Sequence, residues 1–238
     1  MADPMHDAVR AGDASAVRAL ADSGSPVDGD DFVLGTPLHL AVARGDRRMA
    51  SILLRHGADA DRPSHRQGAT ALHLAAEFGD TAMVDLLLEA GAAIDSRDDR
   101  GRTPLMSAAA VGEDAAVERL LDAGAEIDAV DGELAQTALG IAAFHGFLAV
   151  CEILLRHGAD VGAADSRGLT PFRAAATAES YAGVGDPSLM RLLLAHGADI
   201  DARDSAGISA LSWARQSRER FPIYKEIHET LLELGATP

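Results

Sequence analysis

Among its 238 residues the chain has one cysteine, one tryptophan, a single lysine and no asparagine. Cys151, being alone, cannot close a disulfide within the chain. That excludes the cross-linked framework of small secreted domains and makes a reducing cytoplasm the expected setting. Cations are also scarce: 21 Lys and Arg stand against 37 Asp and Glu, for a net charge of −16 and a pI of about 4.8. A general binder of nucleic acid or anionic membrane needs a basic face, so neither partner is expected. No apolar run reaches 18 residues, and no transmembrane helix is predicted. The start, MADPMHDAVRAGD, lacks the cationic region and apolar core of a secretory signal. The bias toward Arg over Lys and the missing Asn read as a compositional habit without mechanism.

Catalytic signatures are missing too. There is no G-x-x-x-x-G-K-[ST], no H-E-x-x-H and no G-x-S-x-G. His228-Glu229 lacks a second His four residues on, and Gly183-Val184-Gly185 has no third glycine of a dinucleotide loop. No enzyme and no cofactor is expected.

What is present is a phrase that recurs: TPLHLA at 36–41, TALHLA at 70–75, TPLMSA at 103–108, TALGIA at 137–142, TPFRAA at 170–175 and SALSWA at 209–214. The starts Thr36, Thr70, Thr103, Thr137 and Thr170 are 34, 33, 34 and 33 residues apart, and the step to Ser209 is 39. A second phrase keeps the beat: LLRHGAD from Leu53, LLEAGAA from Leu87, LLDAGAE from Leu120, LLRHGAD from Leu154 and LLAHGAD from Leu193. Two phrases locked to one period mean a stacked repeat array.

Helix chemistry accounts for the residue types inside a unit. The threonines are N-cap candidates, and Pro37, Pro104 and Pro171 follow at the helical position where a missing N–H costs nothing. A short Ala-rich helix comes next, then a glycine (Gly12, Gly45, Gly79, Gly112, Gly146) suited to end it. A longer amphipathic segment follows, such as Met49–Leu54 or Met83–Leu88. Leu54, Leu88, Leu121, Leu155 and Leu194 are read as the buried rungs between neighbours. Cys151 falls on the same inward register as Val84 and is expected to be a buried structural thiol. Asp-rich turns with glycine, as in Asp98–Gly101, Asp165–Gly168 and Asp204–Gly207, lead to the next Thr.

The phrases and their spacing closely resemble the ankyrin repeat family, whose pattern runs from a turn with Asp and Gly through T-P-L-H-x-A to a helix ending L-L and G-A-D. Asp3-Pro4-Met5-His6, 33 residues before Thr36-Pro37-Leu38-His39, extends the likeness to the N-terminal end, and Leu231, Leu232 and Gly235 extend it to the other. The resemblance implies an all-α solenoid of helix-turn-helix units with short β-hairpin loops. It implies a single domain over 1–238, with repeats near 3–35, 36–69, 70–102, 103–136, 137–169, 170–208 and 209–238. It also assigns His39 and His73 to hydrogen bonds that tie the repeat's turn. His56, His157 and His196 stand where an imidazole can bond the last helical carbonyls. All five recur because the repeat recurs, and no closed zinc set is expected.

Family members bind partners with the loop tips and the exposed face of the first helices. The register puts Arg66, Gln67, Arg100, Arg102, Leu134, Gln136, Arg167 and Leu169 in the tip set. The helix set holds Arg44, Glu77, Phe78, Val111, Phe144 and His145. Apolar residues there (Phe78, Val111, Leu134, Phe144, Leu169) sit beside arginines, whereas the second helices carry acids such as Asp80, Asp85 and Glu118. Arginine and aromatics are enriched at interface hot spots, so the expected partner is another protein segment, acidic or mixed. The alternative is that Phe78 and Phe144 pack on their own repeats. The sixth repeat has eight residues, Thr177 to Val184, between Ala176 and Gly185 where other repeats have two. Its Tyr181 could anchor a partner, or the loop could cover the end of the array. The function expected is a non-catalytic protein–protein interaction module, an adaptor or inhibitor acting as a monomer. The alternative is a regulatory or ligand-sensing subunit that uses this insertion.

Overall fold

A computed structural model describes residues 3–29, 35–65, 67–177, 179–180, 183–218 and 224–237. Among them are fourteen helices in alternating short first and longer second positions. The first helices are α1 (Pro4–Ala11), α3 (Pro37–Ala43), α5 (Ala71–Glu77), α7 (Pro104–Val111), α9 (Ala138–His145), α11 (Pro171–Thr177) and α13 (Ala210–Arg218). Their partners are α2 (Ala14–Asp22), α4 (Arg47–Arg55), α6 (Thr81–Glu89), α8 (Asp114–Asp122), α10 (Leu148–Arg156), α12 (Pro187–Ala195) and α14 (Tyr224–Glu233). Contacts divide the chain into two compact units, Met1–Ala108 with Ala115–Ala125, and Ala109–Asp114 with Glu126–Pro238. In the first unit α1, α3 and α5 pack side by side, as do α2, α4 and α6. In the second, α9, α11 and α13 form one row, and α10 packs on α12.

Capping follows the sequence. The Thr36 hydroxyl accepts the His39 N–H and the Thr137 hydroxyl that of Gly140, while Pro37 opens α3. The second helices start on aspartates missing from the capping expectation: Asp13, Asp46, Asp80 and Asp186 each accept a backbone N–H of the first turn. Thus Asp80 has a backbone duty, and Asp85 pairs with Arg119 between α6 and α8.

The leucine ladder is shifted by one residue from the expected rungs. Leu53, Leu87, Leu120, Leu154 and Leu193 are fully buried, at 0% exposure. Leu54, Leu88, Leu121 and Leu194 are only half-buried, and Leu155, at 6%, is the one exception. The reason is helical phase. Leu87 lies four and three residues beyond Met83 and Val84, both at 0%, so it shares their face; the second leucine of each pair turns about 100° away. Cys151 is buried beside this face as expected, and burial pushes its thiol up to about 12, so it stays protonated at neutral pH.

The connecting turns are closed by aspartate. Asp98 Oδ1 accepts the Arg100 and Arg102 N–H groups at 2.9 and 2.8 Å. Asp165 does the same for Arg167 and Leu169, and Asp204 for Ala206 and Ile208. Neighbouring turns are tied through the main chain, with Asp99 N–H donating to the Gln67 carbonyl at 2.9 Å and Ser166 N–H to that of Leu134 at 2.7 Å. The sixth-repeat insertion contains a small antiparallel pair, β1 (Glu179–Ser180) and β2 (Gly183–Val184).

One turn is strained. The residue two before the helix cap is glycine at positive φ in four turns: Gly68 (65°), Gly101 (73°), Gly168 (77°) and Gly207 (77°). Before Thr137 it is Ala135, at φ 55°. A Cβ there meets the carbonyl crowding that makes this region costly for any residue but glycine, by about 1–2 kcal/mol. Ala135→Gly is therefore expected to raise unfolding stability by about 1 kcal/mol, measured by urea titration. A loss of stability would show that the turn tolerates the methyl group without strain.

Candidate functional site

Each T-P-L-H histidine closes its own turn and reaches the next repeat. His39 Nε2 donates to the Ala69 carbonyl at 2.9 Å, which fixes the tautomer because a carbonyl only accepts. Nδ1 is then the acceptor for the Thr36 N–H at 3.2 Å and faces its hydroxyl at 2.8 Å. His73 repeats this with Thr70 and the Arg102 carbonyl, at 3.2, 2.9 and 2.9 Å. Burial lowers the His73 pKa against the raising effects of the Arg102 carbonyl and Asp98, which keeps the ring neutral as the tautomer requires. His6 Nε2 likewise donates to the Gly35 carbonyl, at 2.7 Å. Of the helix-end histidines, His196 Nδ1 bonds the Leu192 carbonyl at 3.0 Å, while His56 lies 3.7 Å from Asp22.

The slot changes along the chain: Met106, Gly140, Arg173 and Ser212 follow the histidines. At Gly140 the ring is missing and a small cleft of about 10 Å³, room for one water molecule, takes its place. Gln136, Thr137, Phe144, Ala163, Asp165, Arg167, Leu169 and Ala174 line it with Gly140. The structure thus brings four residues picked out in the sequence, Gln136, Phe144, Arg167 and Leu169, to one cleft of the second unit. Phe144 is 47% exposed: part of its ring meets its own repeat, including His145, and about half faces solvent. Arg167 is held by Asp165, whose Oδ2 accepts from Nε at 2.9 Å and Nη2 at 2.7 Å. Beside the cleft, His145 stands edge-on to Phe144, centroids 5.3 Å apart, and stacks on Phe147 at 5.8 Å. Burial in this cluster lowers the His145 pKa. Val111, in the same unit, is 43% exposed, and Leu134 is half-buried.

The other described picks lie in the first unit. Phe78 is 54% exposed, so it too faces solvent. Arg44, Gln67, Glu77 and Arg100 are exposed as well. Arg102 is engaged with its own turn, Nε donating to Asp98 Oδ2 at 3.0 Å and Nη2 lying 2.9 Å from the same oxygen. Arg66 and Tyr181 fall outside the described residues. The ligand-sensing reading needs a concavity joining Phe144 to Tyr181 and the seventh repeat; among the described residues, those lining the cleft beside Phe144 include none of that repeat.

Sequence reasoning missed Gly140 and Asp165 as lining of this cleft and Phe147 as the ring stacked on His145. The signal for Gly140 was legible, since TALGIA puts G where two phrases have H. Phe147 was legible in the same way, replacing the Asp that follows glycine at Asp13, Asp46 and Asp80.

A model of ankyrin repeats in three copies matches residues 38–131, 105–204 and 139–238. A comparison with curated proteins finds no match. Among solved structures, the ankyrin repeat domain of Bcl-3, described as a unique member of the IkappaB protein family, is 29% identical with a TM-score of 0.78. The likeness covers 96% of this chain and 97% of that one. The ankyrin repeat domain of human ASB11 is 27% identical with a TM-score of 0.80, over 100% of both chains. No helix among the described residues is long and apolar enough to cross a membrane. With the period, the threonine caps and the bridging histidines all in place, the chain belongs to the ankyrin repeat family.

Proposed function

We propose that this chain is a non-catalytic protein–protein interaction module, an adaptor or inhibitor, whose partner docks through exposed loop-tip and first-helix residues such as those around the cleft of the second unit. Ankyrin repeats serve generally as protein-interaction modules, which supports the class. The observation that carries the reading here is the grouping of exposed Phe144 with Gln136, Arg167 and Leu169 around one cleft. Aromatic side chains beside a pocket are the usual anchors of binding energy. Arg102 and Arg167 are neutralised by Asp98 and Asp165, so apolar contact rather than charge carries the site.

The test is capture from native lysate on wild-type and Phe78→Ala/Phe144→Ala baits, read by mass spectrometry, with melting curves to show equal folding. A partner held by wild type should bind the double variant at least about thirtyfold more weakly, the mark of a hot spot worth 2 kcal/mol or more. Equal retention on both baits would remove these side chains from the interface.

A further inference from the structure

We infer that the array is built to open at the joint between its fifth and sixth repeats, with the sixth and seventh coming away together. Side chains fasten successive repeats in two ways. In the first, an imidazole reaches the carbonyl ahead of the next cap, from His6 to Gly35, His39 to Ala69 and His73 to Arg102. In the second, an aspartate in the loop after one second helix accepts a backbone N–H from the same loop of the next repeat. Asp28 takes the Asp59 N–H at 3.0 Å, Asp61 that of Ala93 at 2.8 Å and Asp128 that of Asp160 at 3.0 Å. Asp201 takes both the Thr237 N–H, at 2.9 Å, and its hydroxyl, at 2.6 Å. Where Met106 and Arg173 interrupt the imidazole row, Asp128 and Asp201 still hold.

The fifth repeat lacks both fasteners. Glycine stands at 140 in the place of the imidazole and at 162 in the place of the aspartate. The turn around Gly162 is otherwise unchanged. Its N–H donates to Asp160 Oδ1 at 2.9 Å, as those of Asp61 and Asp201 donate to Asp59 and Asp199. The Asp199 N–H, counterpart of the one that Asp128 accepts from Asp160, has no acceptor among the described residues. Besides helix packing, the described residues link the two repeats by a main-chain bond, Ser205 N–H to the Arg167 carbonyl at 2.8 Å. One net hydrogen bond is worth a factor of about five between closed and open forms, so two missing at one joint raise its open population about 25-fold. In a nearest-neighbour array the weakest interface decides where the stack parts. Opening there uncovers the faces that α9 and α11, and α10 and α12, bury against each other. A partner that grips both sides of the joint selects the closed form, and one that binds the uncovered faces selects the open form.

The test is amide hydrogen exchange of the full chain, as wild type, Gly162→Asp and Gly162→Ala. Gly162 is exposed and not at positive φ, and a Cβ there meets only Asp160 Oδ1, at 3.4 Å, so both variants fit the backbone. Alanine supplies the Cβ without the carboxylate and so reports the general effect of removing a glycine. In wild type, the amides of α11 to α14 should exchange as one group, at least about tenfold faster than those of α9 and α10. Gly162→Asp should slow that group about fivefold relative to Gly162→Ala, by restoring the hold on the Asp199 N–H. The inference is overturned if α9 and α10 exchange together with α11 to α14. It is also overturned if α13 and α14 run ahead of α11 and α12, as simple end fraying requires, or if the aspartate and alanine variants exchange alike.

Discussion

Leu87→Ala is expected to remove about 2–5 kcal/mol of unfolding free energy, while Leu88→Ala, one residue later, removes clearly less. The two side chains are chemically the same, so the difference isolates position. Leu87 is at 0% exposure between Met83 and Val84 on the buried face of α6, and truncating it leaves a cavity among neighbours that cannot collapse fully. Leu88 keeps part of its surface in water before and after the change. In a repeat array stability is a sum of repeat and nearest-neighbour terms, so the loss should be local. Amide exchange should speed up first in α4 and α6, which pack together. Equal costs for the two leucines, or a uniform rise in exchange through the first unit, would refute this assignment of the ladder.

Asp204→Ala is expected to cost about 3–5 kcal/mol, because it strands a buried cation. Arg173 occupies the histidine slot of the sixth repeat and is only 5% exposed. Its guanidinium lies 4.8 Å over the Trp213 ring, its Nη2 is 3.9 Å from Asp204 Oδ2, and its Nε and Nη1 have no hydrogen-bond partner among the described residues. Burial, countered by Asp204, lowers its pKa to about 10, so it is charged at neutral pH. Removing the aspartate also uncaps the turn at Ala206 and Ile208. Replacing Arg173 with Met keeps length and apolar contact while discarding the desolvated charge. That change alone should be neutral or stabilising, and in the Asp204→Ala background it should recover most of the loss. Denaturant titrations of the three variants decide it. An Arg173→Met protein as unstable as Asp204→Ala would mean the cation itself holds the sixth and seventh repeats together.

Much of this was legible beforehand, and the misses have physical causes. The threonine caps, the N1 prolines and the bridging role of His39 and His73 depend on short-range chemistry at fixed spacing, which sequence displays directly. The ladder slipped by one because L-L offers two equal candidates, and only the phase set by Met83 and Val84 chooses between them. Phe78 and Phe144 carry two readings in sequence, and in the fold each is about half exposed. Arg102 and Arg167 looked like exposed charges because nothing in sequence says that an arginine folds back on the aspartate of its own turn. The cleft was hardest to see, since it consists of a missing side chain whose partners lie about thirty residues apart, at Thr137 and Leu169.

Each bridging imidazole lands on a main-chain carbonyl: Gly35, Ala69 or Arg102. Every amino acid supplies that oxygen, so the joint between successive repeats places no demand on the identity of the residue receiving it. Glycine, alanine and arginine already share the duty here. Gly35 is held to glycine by its own φ of 71° and by the His39 ring beside it, but the residue ahead of the cap at Ala69 and Arg102 is free to mutate without loosening the array, and recognition can be rewritten at the same point where the stack is fastened.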